Sequence, residues 1–517
     1  MSNDNKNLFL KIINSHPFYS SLLFICLFFF QVYNLESDPS IFKRWGDIAD
    51  EGYWVHNARS KIIFGTFLPD ELSMSYLGAP LYNFIVYLFF LIEDVSFFSA
   101  RIISVISLWL TSIIIYFTLS FHFSKKLSLA FAILFGITHQ MIIYGRFASP
   151  IMLELLFLLL IYAIYKSEIK SKIKYFLVGS SYALAILSKI TSVLFGPTFL
   201  LFFLYVFLNK KCSISDLFYI AISLFLFTFL FGYFYVWPNV DNYTHMFRTS
   251  ADSGNFTIGT IFLKNIAFTS FDMSFLKFPG TIIVGVGVLF YIFDSLRKIL
   301  KEGFRRFLNN VSDLEVFCIF WIIFLSLSLS LNDQVGLDRR MVQLYVPFFI
   351  LFCFFINNTK VNLDSIFQNK VLSATLIIIG SLLIAYYFAS MYNQNISGIY
   401  DLGFTQKEKY NTLRLIPFFL PVGFLFILIY ILECRLITKV LLITIFIFFN
   451  LFFNLFFYKN STFTIKNTSE IISNKLEENY LISGTHAHWY SLETKLKPIF
   501  YINNKTDEDS INLWFKE

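Results

Sequence analysis

The chain is short of charge, cysteine and proline. Only 15% of its 517 residues are Asp, Glu, Lys or Arg, against 56% hydrophobic. That balance excludes an ordinary soluble domain, in which about a quarter of residues are charged. Its five cysteines, Cys26, Cys212, Cys318, Cys353 and Cys434, lie far apart. No pair has metal-ligand spacing, and no disulfide framework is visible. No Gly-rich phosphate loop is present, and no Asp-x-Asp stands in the first polar loop, so neither a nucleotide nor a catalytic metal is expected. The formal net charge of +7 does not indicate nucleic acid, because the cations lie between apolar runs. The Phe excess, 69 residues, is given no function.

What the chain has is apolar runs. They fall at roughly 18–33, 80–93, 103–121, 127–144, 150–165, 175–188, 192–208, 217–236, 279–293, 315–331, 341–357, 371–389, 416–432 and 438–457. Most are long enough to cross a bilayer as helices. The run 80–93 is short, opens on Pro80 and ends in Glu93-Asp94. It reads as a re-entrant or interfacial helix, leaving about 13 spans. Lys6 and Lys11 precede the first run, but no small-residue cleavage site follows it, so an uncleaved first span is expected.

Charge supports this count. With the N-terminus inside, the short inside loops carry Lys125-Lys126, the Lys166–Lys174 cluster, Lys210-Lys211, segment 294–310, Lys360, Lys370, Arg435 and Lys439. This is the positive-inside pattern. Counting 80–93 as a full span would put the first of those loops outside. Segment 294–310 places Leu296, Ile299, Leu300, Phe304 and Phe307 on one helical face and most of its five cations on another. It reads as a basic amphipathic helix on the inner leaflet or as a solvated loop helix. The expected division is a transmembrane catalytic unit, 1–457, with its first outer loop at 34–102, and a small outer α/β appendage, 458–517. In the appendage Glu478–Gly484 reads as a strand and turn, and His486 and His488 as parts of an exposed polar strand.

The stretch Asp50–Arg59, DEGYWVHNAR, stands out in the first outer loop. An acid pair at a bilayer interface is costly to desolvate, so it is either hydrated or functional. A dipole-favoured pair at a helix N-terminus is the plainer reading. The flanking aromatic residues and the place between spans favour function.

Six segments, in order, resemble the GT-C membrane glycosyltransferases, nearest the protein O-mannosyltransferase and lipid A aminoarabinose transferase branch. They are the acid loop itself, Gly78-Ala79-Pro80-Leu81-Tyr82, Ala100-Arg101-Ile102-Ile103-Ser104, Tyr144-Gly145-Arg146-Phe147-Ala148, Gly179–Lys189, and Asp338-Arg339-Arg340 with Tyr345-Val346-Pro347. The chain departs from the aminoarabinose branch in two places. Gly78-Ala79 replaces an acid and a Lys, and Tyr53 replaces an Arg. Glu154 is the nearest acid after the Arg146 turn, displaced along its helix.

The resemblance implies an all-α polytopic enzyme without cofactor. It would move a monosaccharide from a polyprenyl-phosphate donor to a lipid, glycan or protein acceptor. The reaction would occur at the outer, periplasmic face of an inner membrane, among membrane lipids. The acceptor must lose a proton as it attacks, and a carboxylate can take it. Asp50 is the expected base, with Glu51 as orienter or helper. The leaving phosphate needs fixed cations, for which Arg59, Arg146, Lys189, Arg339 and Arg340 stand on the outer side. Tyr53, Trp54, Tyr82 and Glu154 are expected in the substrate pocket. Arg101 and Lys189 sit at span ends, where snorkelling to the interface is the plainer reading. A single base at the acceptor implies inversion. A flippase for lipid-linked glycans and an O-antigen polymerase or ligase remain alternatives.

Overall fold

A computed structural model of the protein describes residues 16–38, 50–67, 75–241, 244, 281–303, 307, 310–331, 338–357, 435–476, 481–483 and 487–499. It is mostly helical. An apolar run in lipid folds as a helix because that pairs every backbone group within the segment. The elements are α1 His16–Val32, α2 Asp50–Phe64, α3 Ser75–Gly78, α4 Pro80–Glu93, α5 Phe97–Ser120, α6 Lys125–Gly136, α7 His139–Gly145, α8 Ile151–Lys166 and α9 Ser171–Ser188. A 3₁₀ segment, Ile190–Phe195, leads into α10 Gly196–Leu208, and α11 Ile214–Phe231 follows. Then come α12 Ile282–Glu302, α13 Asp313–Leu331, α14 Asp338–Asn357, α15 Arg435–Lys459 and α16 Thr464–Lys475. The strand β1 Leu481–Ser483, the short helix α17 Ala487–Tyr490 and the strand β2 Lys497–Ile499 complete the set. β1 and β2 pair in parallel, with Ile482 opposite Pro498.

Among the described residues four helices are long and apolar enough to cross a membrane by themselves. The expected runs 371–389 and 416–432 lie outside the described residues. The run at 127–144 is not one straight span. It bends by 61° between α6 and α7. A break in lipid frees backbone groups that must be re-satisfied. The last long helix does this. Asn454 Nδ2 donates to the Ile137 carbonyl at 2.7 Å, and the His139 N–H donates to Asn450 Oδ1 at 2.7 Å. Gln31 Nε2 from α1 donates to the Gly136 carbonyl at 3.0 Å. Segment 294–310 opens as helix. Its first part continues α12 without interruption to Glu302, where Gly303 at φ 83° ends the helix.

The core is aromatic. Phe195, Phe317 and Trp321 meet edge to face with centroids 5.1–6.1 Å apart, a geometry that the ring quadrupoles favour.

Two ends of the bundle follow from chain direction. Arg101, the 146–150 turn, Lys189 and the start of α14 lie at one end, and Ser120, Lys125, Lys166, Lys211 and the end of α14 at the other. The exits of α1 and α15 meet at the first end. Asp38 receives the Thr462 hydroxyl at 2.5 Å and the N–H groups of Thr464 and Ile465 at 3.0 and 3.1 Å, which caps α16. Lys466 pairs with Glu36 at 2.7 Å. The expected count of about 13 spans includes runs outside the described residues.

Candidate active site

The acid-bearing helix α2 lies across the first end of the bundle. Asp50 opens it, and the Asp50 side chain is outside the described set. Glu51 is fully buried and accepts four hydrogen bonds. Arg101 grips it with a fork, Nε to Oε1 at 2.6 Å and Nη2 to Oε2 at 2.7 Å. The Ala148 N–H adds 3.0 Å and the Trp489 indole N–H 2.8 Å. A buried carboxylate is tolerable only when its charge and lone pairs are met in this way. Arg101 spends its remaining donor group on the carbonyls of Leu35 and Ser37, at 2.9 and 2.6 Å. At 1% exposure it does not snorkel. That expectation is corrected, because a buried carboxylate from another element holds the cation inside.

One carboxylate thus joins four parts of the chain: α2, the start of α5, the turn before α8, and α17. Gly52 lets α17 approach. A Cβ there would stand 2.4 Å from the His488 carbonyl carbon and the Trp489 nitrogen. His56 and His488 meet edge to face at 4.3 Å. His488 is therefore a buried residue of a helical turn, which corrects the expected exposed strand. His486 lies outside the described residues. Asn57 Oδ1 accepts the Ser75 hydroxyl at 2.5 Å and the Tyr76 N–H at 2.9 Å, tying α2 to α3. Tyr53 and Trp54 are half-buried on α2. Tyr82 is fully buried near Ser104 and Glu51.

The expected phosphate cations do not share one place. Arg59 is fully buried and donates to the backbone carbonyls of Leu492, Thr494 and Leu496 at 3.0, 2.6 and 2.8 Å. Burial lowers its pKa to about 9, so it stays charged at neutral pH. Arg146 donates to the carbonyls of Gln31, Tyr33 and Asn34 and lies 5.4 Å from the ring centroids of Phe457 and Tyr458. Both guanidinium groups are directed at backbone carbonyls that would otherwise be orphaned.

Lys189 is different. It ends α9 in an extended conformation just before the 3₁₀ break. Its ammonium stands 3.7 Å from Glu154, which also accepts the Ser192 hydroxyl at 2.5 Å. Glu154 lies in the first turn of α8, six residues after Ala148, which binds Glu51. Gln343 of α14 also reaches Glu154. Arg339 and Arg340 occupy the first turn of α14, three or four residues before Gln343, and their side chains are outside the described set. Among the described residues no group of three His, Cys, Asp or Glu is placed to hold a metal.

Two contributors escaped sequence reasoning. Arg101 had a signal, a cation inside an apolar run, which asks for a buried partner. Trp489 had none, since nothing local marks its reach to a residue more than 400 positions earlier.

Comparison with known proteins bears on this arrangement. Residues 78–234 match a family described as dolichyl-phosphate-mannose-protein mannosyltransferase. No curated protein matches the sequence. The crystal structure of ArnT from Cupriavidus metallidurans bound to undecaprenyl phosphate superposes with a TM-score of 0.54 at 12% identity, covering 96% of this chain and 88% of that one. Its apo state gives 0.56 at 13% identity, covering 97% and 89%. The fold is that of a GT-C membrane glycosyltransferase. In this GT-C fold the family match begins at Gly78, beside α2, and ends just past α11. It contains Arg101, Arg146, Glu154 and Lys189 but not the acid pair.

Proposed function

We propose that the protein is an inverting glycosyltransferase that takes a monosaccharide from a polyprenyl-phosphate donor. One observation carries the reading. A helix led by two acids is anchored through Glu51 over the end of a bundle that shares its fold with ArnT, a protein crystallised with undecaprenyl phosphate. Glu51 has its lone pairs engaged, so it acts as the anchor and Asp50 as the base. The acceptor hydroxyl or amine attacks the anomeric carbon, its proton passes to Asp50, and the bond to phosphate oxygen breaks as polyprenyl phosphate leaves.

Cations near the leaving oxygens stabilise the charge that develops there. Lys189 with Arg339 and Arg340 is the set favoured by position. Arg59 and Arg146 serve instead to hold the loop and the C-terminal segment. Tyr53 and Trp54 line the acceptor side, Tyr82 packs behind them beside Glu51, and Glu154 orients Lys189. The basic loops at Lys125-Lys126, Lys166–Lys174 and Lys210-Lys211 stand at the opposite end, which under the positive-inside rule supports an extracytoplasmic acid helix.

A flippase for lipid-linked glycans is the rival, supported by the broken helices at 136–139 and 189–196. Proteoliposomes given a labelled polyprenyl-phosphate sugar and a pool of candidate acceptors distinguish the two. The expected result is bond transfer that Asp50→Asn lowers by about 10²-fold or more. Undiminished transfer in Asp50→Asn removes the base, and movement of intact lipid-linked sugar without transfer favours the flippase.

A further inference from the structure

At the end of the bundle remote from α2, a cavity of about 270 Å³ opens between the turn after α5, the tail of α12, the start of α13 and the end of α14. Arg101 and His122 stand at opposite ends of α5, ~30 Å apart by helical rise, so the cavity lies at the level of the other membrane surface. Among the described residues its lining contains one cation, Lys298, and one carboxylate, Glu315. Asn310 and Asn357 add neutral amides. His122 also lines it, and burial lowers its pKa to about 4, so the ring is neutral at pH 7.

Glu315 accepts from the Tyr291 hydroxyl at 2.8 Å and the Ser312 N–H at 2.9 Å, one bond to each oxygen. Each oxygen keeps a further lone pair. The neighbouring Asp313 does not line the cavity and is paired with both Lys166, at 2.7 Å, and Lys211, so it offers no free carboxylate there. Phe123 and Phe354, 4.9 Å apart edge to face, give the cavity an apolar side. Among the described lining residues the two signs are one each, on separate elements.

We propose that this cavity binds the zwitterionic head group of a phospholipid with a primary ammonium, the phosphate meeting Lys298 and the ammonium meeting Glu315. A purely anionic head group could meet Lys298 but would leave Glu315 without a counter-charge. A quaternary ammonium would match the charge but could donate no hydrogen bond to the carboxylate. The basic tail of α12 serves here as one wall of a lipid site. The site is independent of the proposed transfer chemistry.

Native mass spectrometry of the full chain, equilibrated with equimolar phosphatidylethanolamine, phosphatidylglycerol and phosphatidylcholine of identical acyl chains, tests this. The expected result is retention of one phosphatidylethanolamine with about tenfold preference, or ~1.4 kcal/mol. Lys298→Glu, at an exposed position that leaves packing intact, removes that retention, and Glu315→Gln erases the preference over phosphatidylglycerol. Equal retention of the three lipids, or a preference for phosphatidylglycerol in the unaltered protein, overturns the proposal. So does displacement of the lipid by an equal concentration of soluble glycerophosphoethanolamine, which would make the ligand a free solute.

Discussion

Replacing Arg101 by Met tests the central joint of the structure. The change keeps much of the side-chain volume but removes both arms of the fork on Glu51 and the donors to the Leu35 and Ser37 carbonyls. Glu51 keeps only the Ala148 and Trp489 N–H groups. Breaking a buried pair by removing one partner costs about 3–5 kcal/mol, since the other charge is left uncompensated. Neutralising that charge should recover part of the loss. Arg101→Met in a Glu51→Gln background should therefore cost less than in the native one, by about 2 kcal/mol.

Thermal unfolding in detergent, followed by a thiol-reactive dye, reads this out, because Cys318 and Cys353 are fully buried and react only on unfolding. The four proteins of the cycle are measured under one condition. If the two single changes add within about 0.5 kcal/mol, the side chains do not act on each other. The account of Glu51 as an anchor would then be wrong.

Three further outcomes follow from other contacts. Asn454→Leu leaves the Ile137 carbonyl without its donor at the α6–α7 break, and should destabilise by about 1–3 kcal/mol in the same dye assay. Gly52→Ala forces α2 and α17 apart, because the new methyl meets the α17 backbone at His488 and Trp489, and should expose residues beyond 460 to faster limited proteolysis. Glu493 accepts the Phe97 N–H at 2.8 Å, and burial raises its pKa above the usual 4.5. A raised folded pKa means that its stabilising contribution is full below 4.5 and is lost as pH rises through the folded value. Protease resistance of the C-terminal segment should therefore decline across that interval, and Glu493→Gln should flatten the decline.

The sequence by itself determined where most helices form. The run 80–93 coincides with α4, and 150–165 and 341–357 fall within a few residues of α8 and α14. Backbone pairing in an apolar solvent leaves such runs little alternative. The acid pair, the span-end cations and the order of the family-like segments were equally legible, since each is a local pattern.

Hydropathy did not show the bend between α6 and α7, because it averages over a window and the break is repaired by two asparagines some 300 residues away. Nor did it show that Arg59 and Arg146 face carbonyls, or that Arg101 is buried. A cation at a span end looks the same in sequence whether it reaches water, phosphate or a buried carboxylate. Tertiary structure decided which, by bringing Glu51 and Trp489 to Arg101 from opposite ends of the chain. The cost of burying an unpaired charge then leaves that arrangement as the one in which all three are satisfied.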